Sequence, residues 1–239
     1  MDQEMEIEET SFKDDTSISE LSYPPLPEYP PSYWKYEMRR EMQEICSNVY
    51  FGSYASATKK KLQELQEAGF THIVCVRHVL ERRVIKPNFP EHFIYKVVEM
   101  NENAIQSIIP ACLSVCEFVS ETLGHGGKVL IHGNGGASSS AILIIAFVMF
   151  RYGVSPKEAH QYVQQRRFCI RPTDCYLEQL KEFEPIFKAK QMGMLWKSAI
   201  PQSPMGVKRT IDDVLDSEGT VMKRSLEDGS DFDTEGTYE

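Results

Sequence analysis

The residues whose types and spacing could do chemistry lie in one stretch, His132-Gly133-Asn134-Gly135-Gly136-Ala137-Ser138-Ser139-Ser140. An apolar run that reads as a strand, Lys128 to Ile131, precedes it, and a second run that reads as a buried helix, Ala141 to Phe150, follows it. A strand, a glycine-rich loop and a helix N-terminus make an anion site, because unpaired backbone N–H groups and the positive end of the helix dipole meet there. The chemistry open to such a site is binding. It holds no thiol to attack phosphorus and no guanidinium to grip two phosphate oxygens. Charge-assisted hydrogen bonds are worth about 1.5–3 kcal/mol each, so lacking that fork weakens phosphate binding by roughly a hundredfold or more. Ser139 offers one neutral hydrogen bond instead. Gly133, Gly135 and Gly136 leave the loop flexible unless the fold holds it, and ordering it on binding costs affinity.

Other chemistries fit less well. Gly133-x-Gly135 opens like a dinucleotide fingerprint, but the third glycine would fall on Ser138. Gly136 to Ser140 approaches a serine-hydrolase elbow, with Ser140 in place of the last glycine. A residual hydrolase working through Ser138 or Ser139 is therefore a distant reading, with no base placed beside them and His132 read as a structural hydrogen-bonder. The six cysteines are Cys46, Cys75, Cys112, Cys116, Cys169 and Cys175, and none is followed by five residues and an arginine. They read as buried, reduced thiols. Cys112 and Cys116 share a helix face rather than forming a metal pair, so neither metal nor cofactor is expected.

The elements that must position the loop follow from periodicity. Ile45–Tyr54 reads as a strand, Ala55–Ala68 as a helix ended by Gly69, and Thr71–Arg77 and Phe93–Val98 as strands. Ile105 to Val119 has helical spacing, the segment 128–132 is a strand, and a helix starts near Ser139. Pro156 suits the first turn of a helix over about 155–166, and a last amphipathic helix runs from about Thr173 to Gln191. Strands alternating with helices predict an α/β domain, its central sheet mostly parallel and flanked by helices.

At 239 residues the chain reads as one domain with tails: an acidic and proline-rich disordered segment over 1–34, a domain over 35–190, and a disordered acidic tail over 191–239. The net charge of −9 lies in the tails, since residues 21–200 hold 21 basic and 17 acidic residues. That mild basicity suits an acidic or phosphorylated protein partner and gives no reason to invoke nucleic acid. The run Ala141–Phe150 is too short to span a bilayer, and unpatterned cysteines fit a reducing compartment, cytoplasm or nucleus. Pro30-Pro31-Ser32-Tyr33 matches ligands of WW domains, set against a plain linker. Lys208-Arg209-Thr210-Ile211-Asp212-Asp213 recurs as Lys223-Arg224-Ser225-Leu226-Glu227-Asp228. Thr210 and Ser225 are thus candidate sites for an acid-directed kinase, set against chance similarity in a solvated tail.

Protein tyrosine and dual-specificity phosphatases write the loop as His-Cys, five residues, then Arg and Ser/Thr. Met38 to Ile45, Thr71-His72-Ile73, Ile85 to Phe89, Gly126 to Leu130, His132-Gly133-Asn134 and Arg166 to Ile170 resemble the STYX family of dual-specificity-phosphatase-like pseudophosphatases, in order, over about 35–190. The resemblance implies the dual-specificity phosphatase fold, with Gly133 in the cysteine's position, as in that family, and Ser139 in the arginine's, where that family keeps the arginine. It implies Glu102 at the general-acid position, set against a surface acid, and for Ser140 a role in helix capping. Arg166, Arg167 and Arg171 would border the pocket as candidate phosphate neighbours. The resemblance further implies no catalysis, and binding and sequestration instead, with links to MAP kinase anchoring and to blocking an F-box subunit of a ubiquitin ligase. A reader of phosphorylated segments is the alternative.

Overall fold

In the computed structural model, residues 21–28, 33–101 and 106–199 are described. Glu102, Pro30, Pro31, Thr210 and Ser225 lie outside the described residues, as do 1–20 and 200–239. The fold is an α/β sandwich around a sheet of β1 (Met42–Cys46), β2 (Val49–Ser53), β3 (His72–Arg77), β4 (Ile94–Glu99) and β5 (Val129–Gly133). Its order is β1-β2-β5-β3-β4. The β1–β2 pair is antiparallel and every other pair is parallel, as the alternation of elements predicts.

The helices are α1 (Leu62–Glu67), α2 (Ile109–Gly124), α3 (Ser139–Tyr152), α4 (Pro156–Arg166) and α5 (Asp174–Ala199). Side chains along a strand alternate faces, so Val129 and Ile131 join one core cluster with α2, α3, α4 and α5, while Leu130 joins a second with Leu65 of α1, Phe70, Phe89 and Phe93. Helix α3 packs against α2, α4 and α5, and every residue from Ser140 to Met149 is buried. An apolar run without a polar face is what a central helix requires. Pro156 opens α4, with Ser155 and Glu158 forming a capping box.

Three boundaries depart from the sequence reading. Ile45–Tyr54 is not one strand: the chain reverses at Ser47-Asn48, with Asn48 at φ 65, and β1 and β2 form a hairpin. The helix expected over Ala55–Ala68 is two 3-10 turns, Tyr54–Ala57 and Lys59–Lys61, before the short α1. Side chains take the carbonyls that helical amides would use: the Thr58 hydroxyl donates to Ala55 O at 3.2 Å and Asn88 Nδ2 to Ala57 O at 2.7 Å. The domain also exceeds 35–190 at both ends. Helix α5 continues to Ala199, and Tyr23 and Leu26 pack on the core, the Tyr23 hydroxyl donating to Gln191 Oε1 at 2.8 Å. Residues 21–28 are therefore part of the folded domain. Prolines hold this segment near an extended conformation before it docks, which lowers the entropy lost on ordering it.

Candidate functional site: a phosphate-loop remnant

Strand β5 ends at Gly133 and α3 begins at Ser139, so the loop of interest is the five-residue turn between a central strand and a buried helix. Its position is set by sheet order: β5 lies between β2 and β3, and open α/β sheets bind ligands beyond the carboxyl ends of their strands.

The loop is held from several directions. Arg167 is fully buried and each of its five N–H groups has an acceptor. Nε donates to Gly136 O at 2.9 Å, Nη1 to Glu41 O at 2.9 Å and to Gln43 Oε1, and Nη2 to Arg39 O at 2.8 Å and Gly135 O at 3.3 Å. Its guanidinium is thus not a phosphate neighbour but the strut that ties the loop to the segment before β1. Burial pushes its pKa down from the ordinary value. The Arg171 amide donates to Ala137 O at 2.7 Å and the Tyr54 amide to Asn134 O at 3.1 Å. In a trans peptide the carbonyl and the following N–H point in opposite directions. Pinning the carbonyls of Gly135, Gly136 and Ala137 therefore turns the amides of Gly136, Ala137 and Ser138 the other way. Among the described residues, no acceptor meets the amides of Asn134 to Ser138. The three glycines do not leave this loop loose, because the arginine strut and the neighbouring amides fix it.

Gly136 sits at φ +60, and a Cβ there would overlap the Gly52 carbonyl and lie 2.9 Å from Arg167 Nη2. At Gly133 a Cβ would lie 2.5 Å from Ser140 Oγ and 2.8 Å from Ser140 Cβ. Ser140 does not cap the helix. It is the second residue of α3, buried against the place where a side chain on residue 133 would stand, while the N-cap is Ser138, whose side chain makes no capping bond. Ser139 is half-buried at the first position of α3, and Ser138 Oγ is buried without a partner. His132 is fully buried and neither ring nitrogen has a hydrogen-bond partner, so it is not the structural hydrogen-bonder expected of it. Burial pushes its pKa down to about 4, which keeps the imidazole neutral at physiological pH. Of the other two arginines, the Arg166 guanidinium lies 5.2 Å over the Tyr162 ring, and the Arg171 side chain is exposed beside the loop.

A cavity of about 740 Å³ opens over the loop, lined by residues 78–81, Met100, Asn101 and 134–140. Among the described residues no lysine or arginine lines it, and the ionisable groups of the lining are His78 and Glu81. Glu81 is a residue that sequence reasoning missed. Its carboxylate accepts from Asn134 Nδ2 at 2.7 Å and from the His78 amide at 2.9 Å. A second cleft, of about 920 Å³, shares Asn134 and Gly135 with the first and is lined on its far side by Tyr36, Arg39, Arg40 and Tyr54 among others. Arg39 and Arg40 carried no loop signal in sequence, since the contact to Arg167 spans 128 positions. Cys112 and Cys116 share a buried face of α2, while Cys169 and Cys175 are only half-buried. The arrangement can bind a group over the loop. Among the described residues it offers no thiol in the loop and no lysine or arginine facing the cavity.

Comparison with known proteins agrees with this fold. The family described as dual specificity phosphatase, catalytic domain, matches residues 49–186. The serine/threonine/tyrosine-interacting protein of Homo sapiens is 40% identical over 90% of this chain and 94% of its own length, and that of Mus musculus is 40% identical over 89% and 93%. Among solved structures, human tyrosine phosphatase-like serine/threonine/tyrosine-interacting protein aligns with a TM-score of 0.60 and 45% identity, covering 62% of this chain and 98% of that one. Human DUSP28, at 22% identity and a TM-score of 0.54 over 69% of this chain and 98% of its own, shows the same fold.

Proposed function

The chain belongs to the dual specificity phosphatase catalytic-domain family, alongside the serine/threonine/tyrosine-interacting proteins, and on that premise we propose that it works by binding protein partners rather than by hydrolysing phosphate. The observation that carries this reading is the packing of Ser140 into the volume a side chain on Gly133 would need. Hydrolysis by a cysteine phosphatase goes through a covalent thiol intermediate, and here that volume holds a serine of α3. Loss of the loop arginine to Ser139 is a second lesion, because among the described residues neither Arg167 nor another arginine or lysine lines the cavity to replace the fork.

The partners we propose are signalling proteins held and sequestered through this domain, MAP kinases and an F-box ubiquitin-ligase subunit among them, in cytoplasm and nucleus. A second reading, recognition of phosphorylated segments, is favoured by one observation: the loop carbonyls pinned by Arg167 and Arg171 turn three amides toward the opposite side. The two readings separate in one experiment. The full chain is assayed for turnover of an aryl phosphate, then titrated calorimetrically with a MAP kinase activation-loop peptide in phosphorylated and unphosphorylated forms. No turnover and equal affinity support the phosphate-independent reading. A tenfold preference for the phosphorylated form supports the reader, and turnover by the wild-type chain overturns both.

A further inference from the structure

We propose that the cavity over the loop remnant takes an arginine side chain of a protein partner, received by the carboxylate of Glu81. The proposal rests on the partner-binding reading and specifies what that same site accepts. In the lining, His78 Nδ1 accepts a hydrogen bond from the Leu80 amide at 3.1 Å. Among the described residues of the lining, Glu81 is the one carboxylate, and no lysine or arginine stands beside it.

Glu81 is also preorganised. Asn134 Nδ2 holds one carboxylate oxygen and the His78 amide holds the other, which leaves each oxygen a lone pair for a further donor. A planar guanidinium presents two parallel N–H groups at the matching spacing, which a lysine ammonium does not. The neighbouring basic residues do not compete. Arg77 and Arg82 both pair with Glu99, Arg167 lies among carbonyl oxygens, and Arg171 is not in the lining. The rest of the wall suits an arginine stem: Val79, Leu80, Met100 and Ala137 are apolar, and Leu80 is 85% exposed. The amides at the start of α3 oppose a cation, but a helix terminus carries about half a charge and the carboxylate a full one.

The test is a nuclear magnetic resonance titration of the full chain with N-acetyl-arginine amide, N-acetyl-lysine amide and inorganic phosphate in parallel. Arginine is expected to give saturable shifts at residues 78–81 and 134–138, tighter than lysine, while phosphate at the same concentrations gives none there. Glu81→Gln should weaken arginine binding about tenfold. Leu80→Ala, at an exposed position that leaves the fold intact, should weaken it severalfold. Arginine binding unchanged by Glu81→Gln, or phosphate saturating those amides more tightly than arginine, would overturn the proposal. None of these readouts involves turnover, so their failure leaves the non-hydrolytic reading in place, and aryl phosphate turnover would remove that reading alone.

Discussion

The Ser140 side chain occupies the space that a side chain on Gly133 would fill, with Oγ 2.5 Å and Cβ 2.8 Å from an ideal Cβ position. The hydroxyl can rotate away, but the Ser140 Cβ belongs to the first turn of α3 and cannot. Gly133→Ala should therefore cost about 1–3 kcal/mol, the usual cost of overpacking a filled site. Gly133→Cys should cost a similar amount and give little or no hydrolysis of an aryl phosphate. Adding Ser139→Arg restores the fork and should give appreciably more. Thermal melting reads the first effect and turnover the second. If the single cysteine variant is as active as the double, the account of the missing arginine is wrong.

Arg167 should prove a determinant of stability. Five acceptors converge on its buried guanidinium, so Arg167→Met strands them together and should cost about 3–5 kcal/mol. Arg167→Lys should recover little, because one ammonium cannot reach acceptors spread around a planar fork. The measurement is the urea midpoint of each variant. A shift within experimental error for Arg167→Met would show that the strut is dispensable.

What the sequence made legible was local or periodic. The strand–loop–helix order around His132 to Ser140, the start of α3 at Ser139, the place of Pro156 in the first turn of α4 and the shared face of Cys112 and Cys116 all follow from spacing over a few residues. What it hid was long-range. Arg167 reads as a pocket cation beside two other arginines, and only the fold places its guanidinium among carbonyls 31 to 128 positions away. Glu81 meets Asn134 across 53 positions, and histidine at an N-cap, as His78 is, is not a type that announces a capping box. The hairpin of β1 and β2 was hidden for a different reason: Asn48 carries the reversal at positive φ inside a run that looks apolar enough for one strand.

Two neighbouring glycines should respond differently to alanine. At Gly136, φ +60 is strained for any residue with a Cβ, and that Cβ would strike the Gly52 carbonyl, a backbone group that cannot swing aside. Gly136→Ala should cost more than about 2 kcal/mol. At Gly135 a Cβ meets nothing within 4 Å, so Gly135→Ala should stay within about 0.5 kcal/mol of wild type. Chemical denaturation of the two variants side by side checks this, and equal costs would mean that the loop is not held in this conformation.

His132 should make stability depend on pH in a defined window. Its folded pKa is pushed down to about 4 by burial, against an unfolded value of about 6.5. As pH falls below 6.5 the unfolded chain takes a proton that the folded chain refuses. Stability therefore rises with pH wherever the unfolded state holds more protons. The contribution of His132 is complete above about pH 6.5, is lost progressively down to about pH 4, and amounts to about 3 kcal/mol over that span. Burial lowers the pKa of His72 and His160 as well, and Glu99 is held at about 2 by Arg82 and Arg77, so the wild-type curve alone does not isolate one group. The informative quantity is the difference between wild type and His132→Asn, which cannot titrate. That variant should start less stable at pH 7.5, because it loses packing against Tyr54, whose ring lies 5.7 Å from the imidazole. It should then lose less stability than wild type between pH 6.5 and 4.5. Parallel curves would mean that His132 is protonated in the folded chain and that its surroundings open to admit water.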